Sequence, residues 1–139
     1  MNEGWYFIGI DATDADGQRF HPCGTGLVYL TPGDYQFHFD IVRQARIEGR
    51  ITNASADNDL WLALVTREGR AVQTLRTTRH LAEVIPVGSG GRFALDGAPV
   101  GEFRLRVGTE QQLRGGEFIQ EVPVTIAATN NAPLEIRLP

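Results

Sequence analysis

Apolar side chains in this chain recur at every second position, in short runs cut by turn formers, and almost nowhere at helical spacing. Tyr35, Phe37, Phe39 and Ile41 alternate with Gln36, His38 and Asp40; Phe103, Leu105 and Val107 alternate with Glu102, Arg104 and Arg106; Leu134, Ile136 and Leu138 alternate with Glu135 and Arg137. A period of two puts successive side chains on opposite faces of a pleated strand, one face for the core and one for solvent. The runs are separated by strong breakers: Asp14-Ala15-Asp16-Gly17, Thr31-Pro32-Gly33-Asp34, Arg67-Glu68-Gly69-Arg70 and Gly88-Ser89-Gly90-Gly91. Roughly ten or eleven strands at this spacing, with no clear helix, predict an all-β sandwich or barrel.

Further strands are predicted over 5–12, 26–30, 47–52, 60–66, 71–78, 92–95 and 118–126. Between 92–95 and the strand at 102–107 a loop is expected through Pro99. Pro123 lacks the N–H that a central strand needs, which puts 118–126 at a sheet edge. Residues 79–87 read either as one helical turn or as a bulged strand. The strands at 5–10 and 60–65 are apolar on both faces, so Trp61, Ala63 and Val65 need cover as much as Leu60, Leu62 and Leu64 do. That cover is assigned to an N-terminal β segment, residues 1–45, half a module too small to bury a core alone. The main sandwich is expected over 46–139, and loss of residues 1–44 is expected to leave an unfolded or aggregating product.

Charge and composition exclude several classes of function. The net charge is −4, and all 13 basic residues are arginine. Nucleic-acid binding draws on a concentrated positive field, which this chain does not carry, so no nucleic-acid partner is expected. Without lysine there is no Schiff-base chemistry. One cysteine, Cys23, allows no internal disulfide. No apolar run is long enough for a transmembrane helix, and no signal peptide is read at the N-terminus. Periplasmic or extracellular placement is favoured, with the cytoplasm compatible.

A weak internal repeat relates Gly26–Leu30 and Pro32–Phe37 to Gly91–Leu95 and Pro99–Leu105. Each copy reads as strand, Pro–Gly turn, alternating strand. The second copy carries a wider likeness. From about residue 46 the chain resembles a carboxypeptidase regulatory-like domain, a transthyretin-like (prealbumin-like) sandwich of the broader immunoglobulin-like kind. Ile47–Thr52 resembles the opening strand of that family. Leu62–Thr66 with Glu68-Gly69-Arg70 resembles its second strand and turn, Gly91–Val107 its central run, and Pro133–Leu138 its closing strand. Ala98 and Phe103 stand where leucine and tyrosine are usual. The resemblance implies a mostly antiparallel β-sandwich that serves as an accessory part of a larger protein, and it implies no activity. Enzymes of the transthyretin-like fold carry a tyrosine-arginine-glycine-serine tail or an iron-binding set of tyrosines and histidines; neither pattern is present here.

No residue is assigned a catalytic, cofactor-binding or metal role, and no cofactor is expected. His21 and Cys23 share a strand face at i, i+2, but two ligands without a partner pair are read as ordinary packing. His38 and His80 stand far apart in sequence. Asp14-Ala15-Asp16-Gly17 fails the EF-hand pattern, and it reads as a turn, as do Asp11 beside it and Asp57-Asn58-Asp59. Ser55 and Ser89 lack the setting of a nucleophile. A sugar site would need exposed aromatic platforms, and Trp5, Tyr6, Tyr29, Tyr35 and Trp61 all lie in apolar strand patterns that read as core. The chain is therefore expected to be a non-catalytic module of a cell-envelope, secretion or surface-assembly protein. Its partner would be another protein or the neighbouring domains of a longer chain, with the open edge of strand 35–42 offered for pairing. A carbohydrate-binding module is the first alternative, with a glycan as ligand, and an enzyme with an unrecognised site is the second.

Overall fold

The computed structural model describes residues 2–10, 13, 15, 17, 23–37, 43–53, 59–76 and 81–139. The chain divides into two units, Met1–Arg43 and Gln44–Pro139. Both are built of strands, mostly antiparallel, and the protein is all-β.

In the first unit β1 (Gly4–Ile10) and β2 (Cys23–Leu30) pair antiparallel, with Trp5 opposite Tyr29 and Tyr6 opposite Val28. Among the described residues neither strand has a second neighbour. The alternation expected over 35–42 does not produce a strand at Tyr35–Phe37. Instead the Tyr35 hydroxyl accepts from the Thr31 N–H at 3.0 Å and donates to the Thr31 carbonyl at 2.6 Å, closing the Pro32–Gly33 loop on itself. The rest of that segment, 38–42, lies outside the described residues. The first copy of the repeat therefore lacks its second strand at 35–37, and β2 pairs with β1.

The second unit holds two sheets. One runs β12–β3–β9–β6–β7: β3 is Gln44–Thr52, β6 Thr74–Leu75, β7 Leu81–Ala82, β9 Arg92–Pro99 and β12 Leu134–Arg137. The other runs β11–β10–β4–β5, with β4 Trp61–Val65, β5 Ala71–Val72, β10 Gly101–Gly108 and β11 Gln120–Ile126. β8 (Ile85–Pro86) also pairs with β4, beside Trp61 and Leu62. Among the described residues only β12 runs parallel to its neighbour, β3. Ile47, Ile51, Leu95 and Ile136 from the first sheet meet Leu62, Leu64, Leu105, Val107 and Ile126 from the second in one core. Each such aliphatic side chain contributes roughly 1.5–3 kcal/mol on burial. Pro123 stands on β11, which is an edge strand.

Three readings of the sequence are corrected. The predicted strand 71–78 is broken at Gln73, where the chain leaves one sheet (β5) and enters the other (β6). Residues 96–99 continue β9 instead of forming a loop. Gly97 makes this possible by adopting φ 66°, and the register with β3 slips between Ala45 and Ile47, a bulge that bends the strand without ending it. A short helix, α1 (Glu110–Arg114), follows β10. It is too short to show helical periodicity, but its N-terminus carries a capping box in which Thr109 and Gln112 each accept from the other's backbone N–H.

The cover needed by the outer face of β4 comes from within the second unit. Ala63 packs with Val84 and with Leu113 of α1, and Trp61 borders the cluster. The requirement that assigned this cover to residues 1–45 is thus met elsewhere. A fragment spanning 44–139 is expected to melt cooperatively when followed by circular dichroism; aggregation or a broad, non-cooperative loss of signal would contradict it.

β12 lies tight against β3 because residue 49 is glycine. A Cβ there would come within 2.3 Å of the Leu134 carbonyl oxygen and 2.7 Å of the Phe93 ring. Gly49→Ala is expected to destabilise the fold by about 1–3 kcal/mol, as overpacking does. A urea midpoint unchanged by the substitution would show that β12 is not held this closely.

Candidate functional site

The described residues place the largest exposed aromatic surface on the first unit. Because Trp5 and Tyr29 are directly opposite in the β1–β2 register, their rings share one face of the sheet. Trp5 is 68% exposed and Tyr29 49%. The rings meet edge to face, centroids 5.3 Å apart. Tyr29 donates its hydroxyl to the Glu3 carboxylate, which raises its pKa above the ordinary 10.0, and Tyr6 donates to the Asn2 carbonyl. The opposite face, with Tyr6, Ile8, Val28 and Leu30, is half-buried to buried. Beyond the Thr31 loop a second aromatic pair, Tyr35 and Phe37, stacks at 6.3 Å with an interplanar angle of 21°, and both rings are exposed. Trp5, Tyr29 and Tyr35 were expected in the core, and that expectation is corrected. Two apolar faces on a strand were read as two buried faces, but here one of them is open. Of the other aromatics on that reading, Tyr6 and Trp61 are half-buried.

The second unit presents charge instead. Glu121 on β11 lies opposite Arg106 on β10 and accepts from both Arg106 Nε and Arg104 Nη1 at 2.7 Å. The Arg106 guanidinium also lies 4.9 Å from the centre of the Phe118 ring, a cation–π contact. Arg67 pairs with Glu102, and Arg46 donates from Nη1 to both carboxylate oxygens of Asp96 at 2.7 and 2.8 Å. Arg76 lies 5.6 Å from the centre of the Trp61 ring, whose buried Nε1 has no hydrogen-bond partner among the described residues. An open groove of about 520 Å³ is lined by Glu48, Arg50, Arg92, Phe93, Pro133 and Glu135, among others. A smaller recess of about 170 Å³ lies beside α1, between Ala63, Val84, Leu113 and Arg106. Of these groups, Glu121, Glu102, Asp96 and Glu48 are held in ion pairs.

Most of the residues weighed for metal or nucleophilic chemistry fall outside what the structure describes. His21, His38, His80, Asp11, Asp14, Asp16, Ser55, Asp57 and Asn58 lie outside the described residues, and for Cys23 only the backbone is described. Ser89 is exposed in the turn Ser89–Gly91. Among the described residues no three His, Cys, Asp or Glu side chains converge, and no helix is long and apolar enough to cross a membrane. Comparison of the chain with protein-family models, with curated proteins and with solved structures finds no match.

The pairing of Glu121 has a pH signature. The hydrogen bond from Arg106 holds its carboxyl below the ordinary 4.5, against the opposing effect of burial and with added help from Arg104. A depressed folded-state pKa gives stability that is complete above pH 4.5 and lost as pH falls through the lowered value. In Glu121→Gln, stability followed by urea midpoint is expected to fall less steeply below pH 4.5 than in the parent chain. Parallel profiles would mean that the pairs with Arg104 and Arg106 add nothing to the folded state.

Proposed function

We propose that this chain is a non-catalytic binding module in which the aromatic face of β1 and β2 docks onto a partner protein and the second unit is the rigid body that carries it. The exposure of Trp5 beside Tyr29 carries the reading. Tryptophan and tyrosine dominate the energetics of protein interfaces because they bury a large area while losing few rotamers. A two-stranded sheet is too small to be stable on its own in water, so an open aromatic face on one is a surface built to be covered. Its outer edges add main-chain donors and acceptors for an incoming strand. The resemblance of residues 46–139 to a carboxypeptidase regulatory-like, transthyretin-like sandwich supports the second half of the proposal. Such modules are accessory parts of larger proteins, and this one fits a cell-envelope, secretion or surface-assembly protein in which it mediates contact or spacing.

A second reading is favoured by one observation. Tyr35 and Phe37 present nearly parallel, exposed rings, the geometry on which a sugar ring stacks. The Trp5–Tyr29 pair, at 68° between planes, forms a corner instead of a platform and fits a protein side chain better.

The test is site-specific photo-cross-linking in the source cells, with a photoreactive phenylalanine analogue at position 5 and, as control, at Glu117, an exposed residue of the second unit. One discrete protein adduct from position 5, absent from position 117, is the expected result. No adduct from position 5, together with oligosaccharide binding that is lost in Tyr35→Ala, would replace this reading with the glycan one.

A further inference from the structure

The edge of the first sheet in the second unit is self-complementary, and we propose that β12 pairs antiparallel with β12 of a second copy of this chain. Among the described residues β12 has one neighbour, β3, so its other side is open. The direction of its backbone groups follows from one bond. The Leu138 N–H donates to the Thr52 carbonyl at 3.1 Å. In a parallel ladder alternate residues point their N–H and C=O to the same side. Leu134, Ile136 and Leu138 therefore address β3, while Glu135 and Arg137 direct their N–H and C=O away from the sheet.

An antiparallel pairing centred on Ile136 uses all four of these outward groups. Glu135 of one copy then lies opposite Arg137 of the other, twice over, and each of these pairs exchanges two main-chain hydrogen bonds. The two Ile136 residues meet at the non-hydrogen-bonded position on the two-fold axis. Side chains directly opposite in a sheet share a face, so each Glu135 carboxylate lies beside the Arg137 guanidinium of the second copy on the solvent side. Both side chains are exposed, and neither makes an ion pair among the described residues. Leu134 and Leu138 oppose each other at non-hydrogen-bonded positions, and the next hydrogen-bonding positions are Pro133 and Pro139, which have no N–H, so the ladder ends after four bonds. This is an isologous contact, closed at two copies.

The edge also carries the devices that ordinarily prevent pairing, namely short length, charge and flanking proline. What distinguishes it is the order of the charges. A strand bearing one sign at both outward positions repels its copy, whereas Glu135 and Arg137 attract theirs in this register. The other long edge, β11, has Pro123 at its centre and offers no such match.

Sedimentation equilibrium of the full chain from micromolar to millimolar concentration tests the proposal. The parent chain is expected to show a reversible dimer. Arg137→Glu opposes like charges at both positions and is expected to weaken the dimer by about tenfold or more; Glu135→Arg is expected to do the same. The double exchange Glu135→Arg with Arg137→Glu restores both pairs and should restore the dimer. Trp5→Ala should leave it unchanged, which separates this contact from the aromatic docking face. A parent chain that stays monomeric throughout, a dimer indifferent to Arg137→Glu, or a double exchange that fails to rescue would each overturn the proposal.

Discussion

Everything in the second unit hangs on one corner, the single residue Val100 between β9 and β10. β9 is central in one sheet and β10 is flanked on both sides in the other, so the chain crosses between layers here without leaving the core. Ala98 just before the corner is fully buried, and so are Leu105 and Val107 beyond it. Two strands fixed in different sheets by so short a link set the distance between the layers, and the aliphatic side chains of both must then fill that space. Another one-residue crossing, at Gln73 between β5 and β6, joins the same two sheets. With the layers tied by these short links, Ile47, Leu64, Leu95 and Ile126 pack between sheets whose spacing the backbone has already set.

The outer faces are finished in different ways, and the difference bears on function. Over β4, apolar side chains that would otherwise meet water are roofed by α1 and the 81–87 segment. Over β10 and β11, cross-strand ion pairs and a cation–π contact tie down the long arginine side chains. Such pairs are worth little individually at a surface. The described residues of the first unit show a different finish. Its aromatic residues are left in the open beside a sheet of only two strands. The contrast between a finished scaffold and an unfinished surface is the physical basis for reading the chain as a binding module.

Strand identity was legible because period-two alternation with buried partners leaves a clear trace: 102–107, 120–126 and 134–137 lie in strands, with Leu105, Val107, Val124, Ile126 and Ile136 buried, while 118–119 and 138 fall outside them. What the sequence hid has common causes. Alternation at 35–37 looked like a strand because nothing local reveals that a tyrosine hydroxyl will bond back to Thr31. Gly97 and Pro99 looked like a loop because a bulge and a loop use the same residues. Helix α1 was missed for lack of periodicity, although Thr109-x-x-Gln112 is a readable capping box. The aromatic surface was hidden for a deeper reason. An apolar side chain in a strand pattern looks the same whether its face is covered within the fold or held ready for a partner, and only the count of neighbouring strands separates the two.

These considerations make one claim central: a tightly closed 44–139 body carries a loosely supported aromatic sheet. Hydrogen exchange of the intact chain, followed by mass spectrometry, tests it most directly. The slowest amides should fall in 61–65, 92–99 and 101–108, with exchange across 4–10 and 23–30 faster by orders of magnitude. Protection in 4–10 and 23–30 equal to that of the 101–108 strand would contradict the account, because it would show that the aromatic face is already covered.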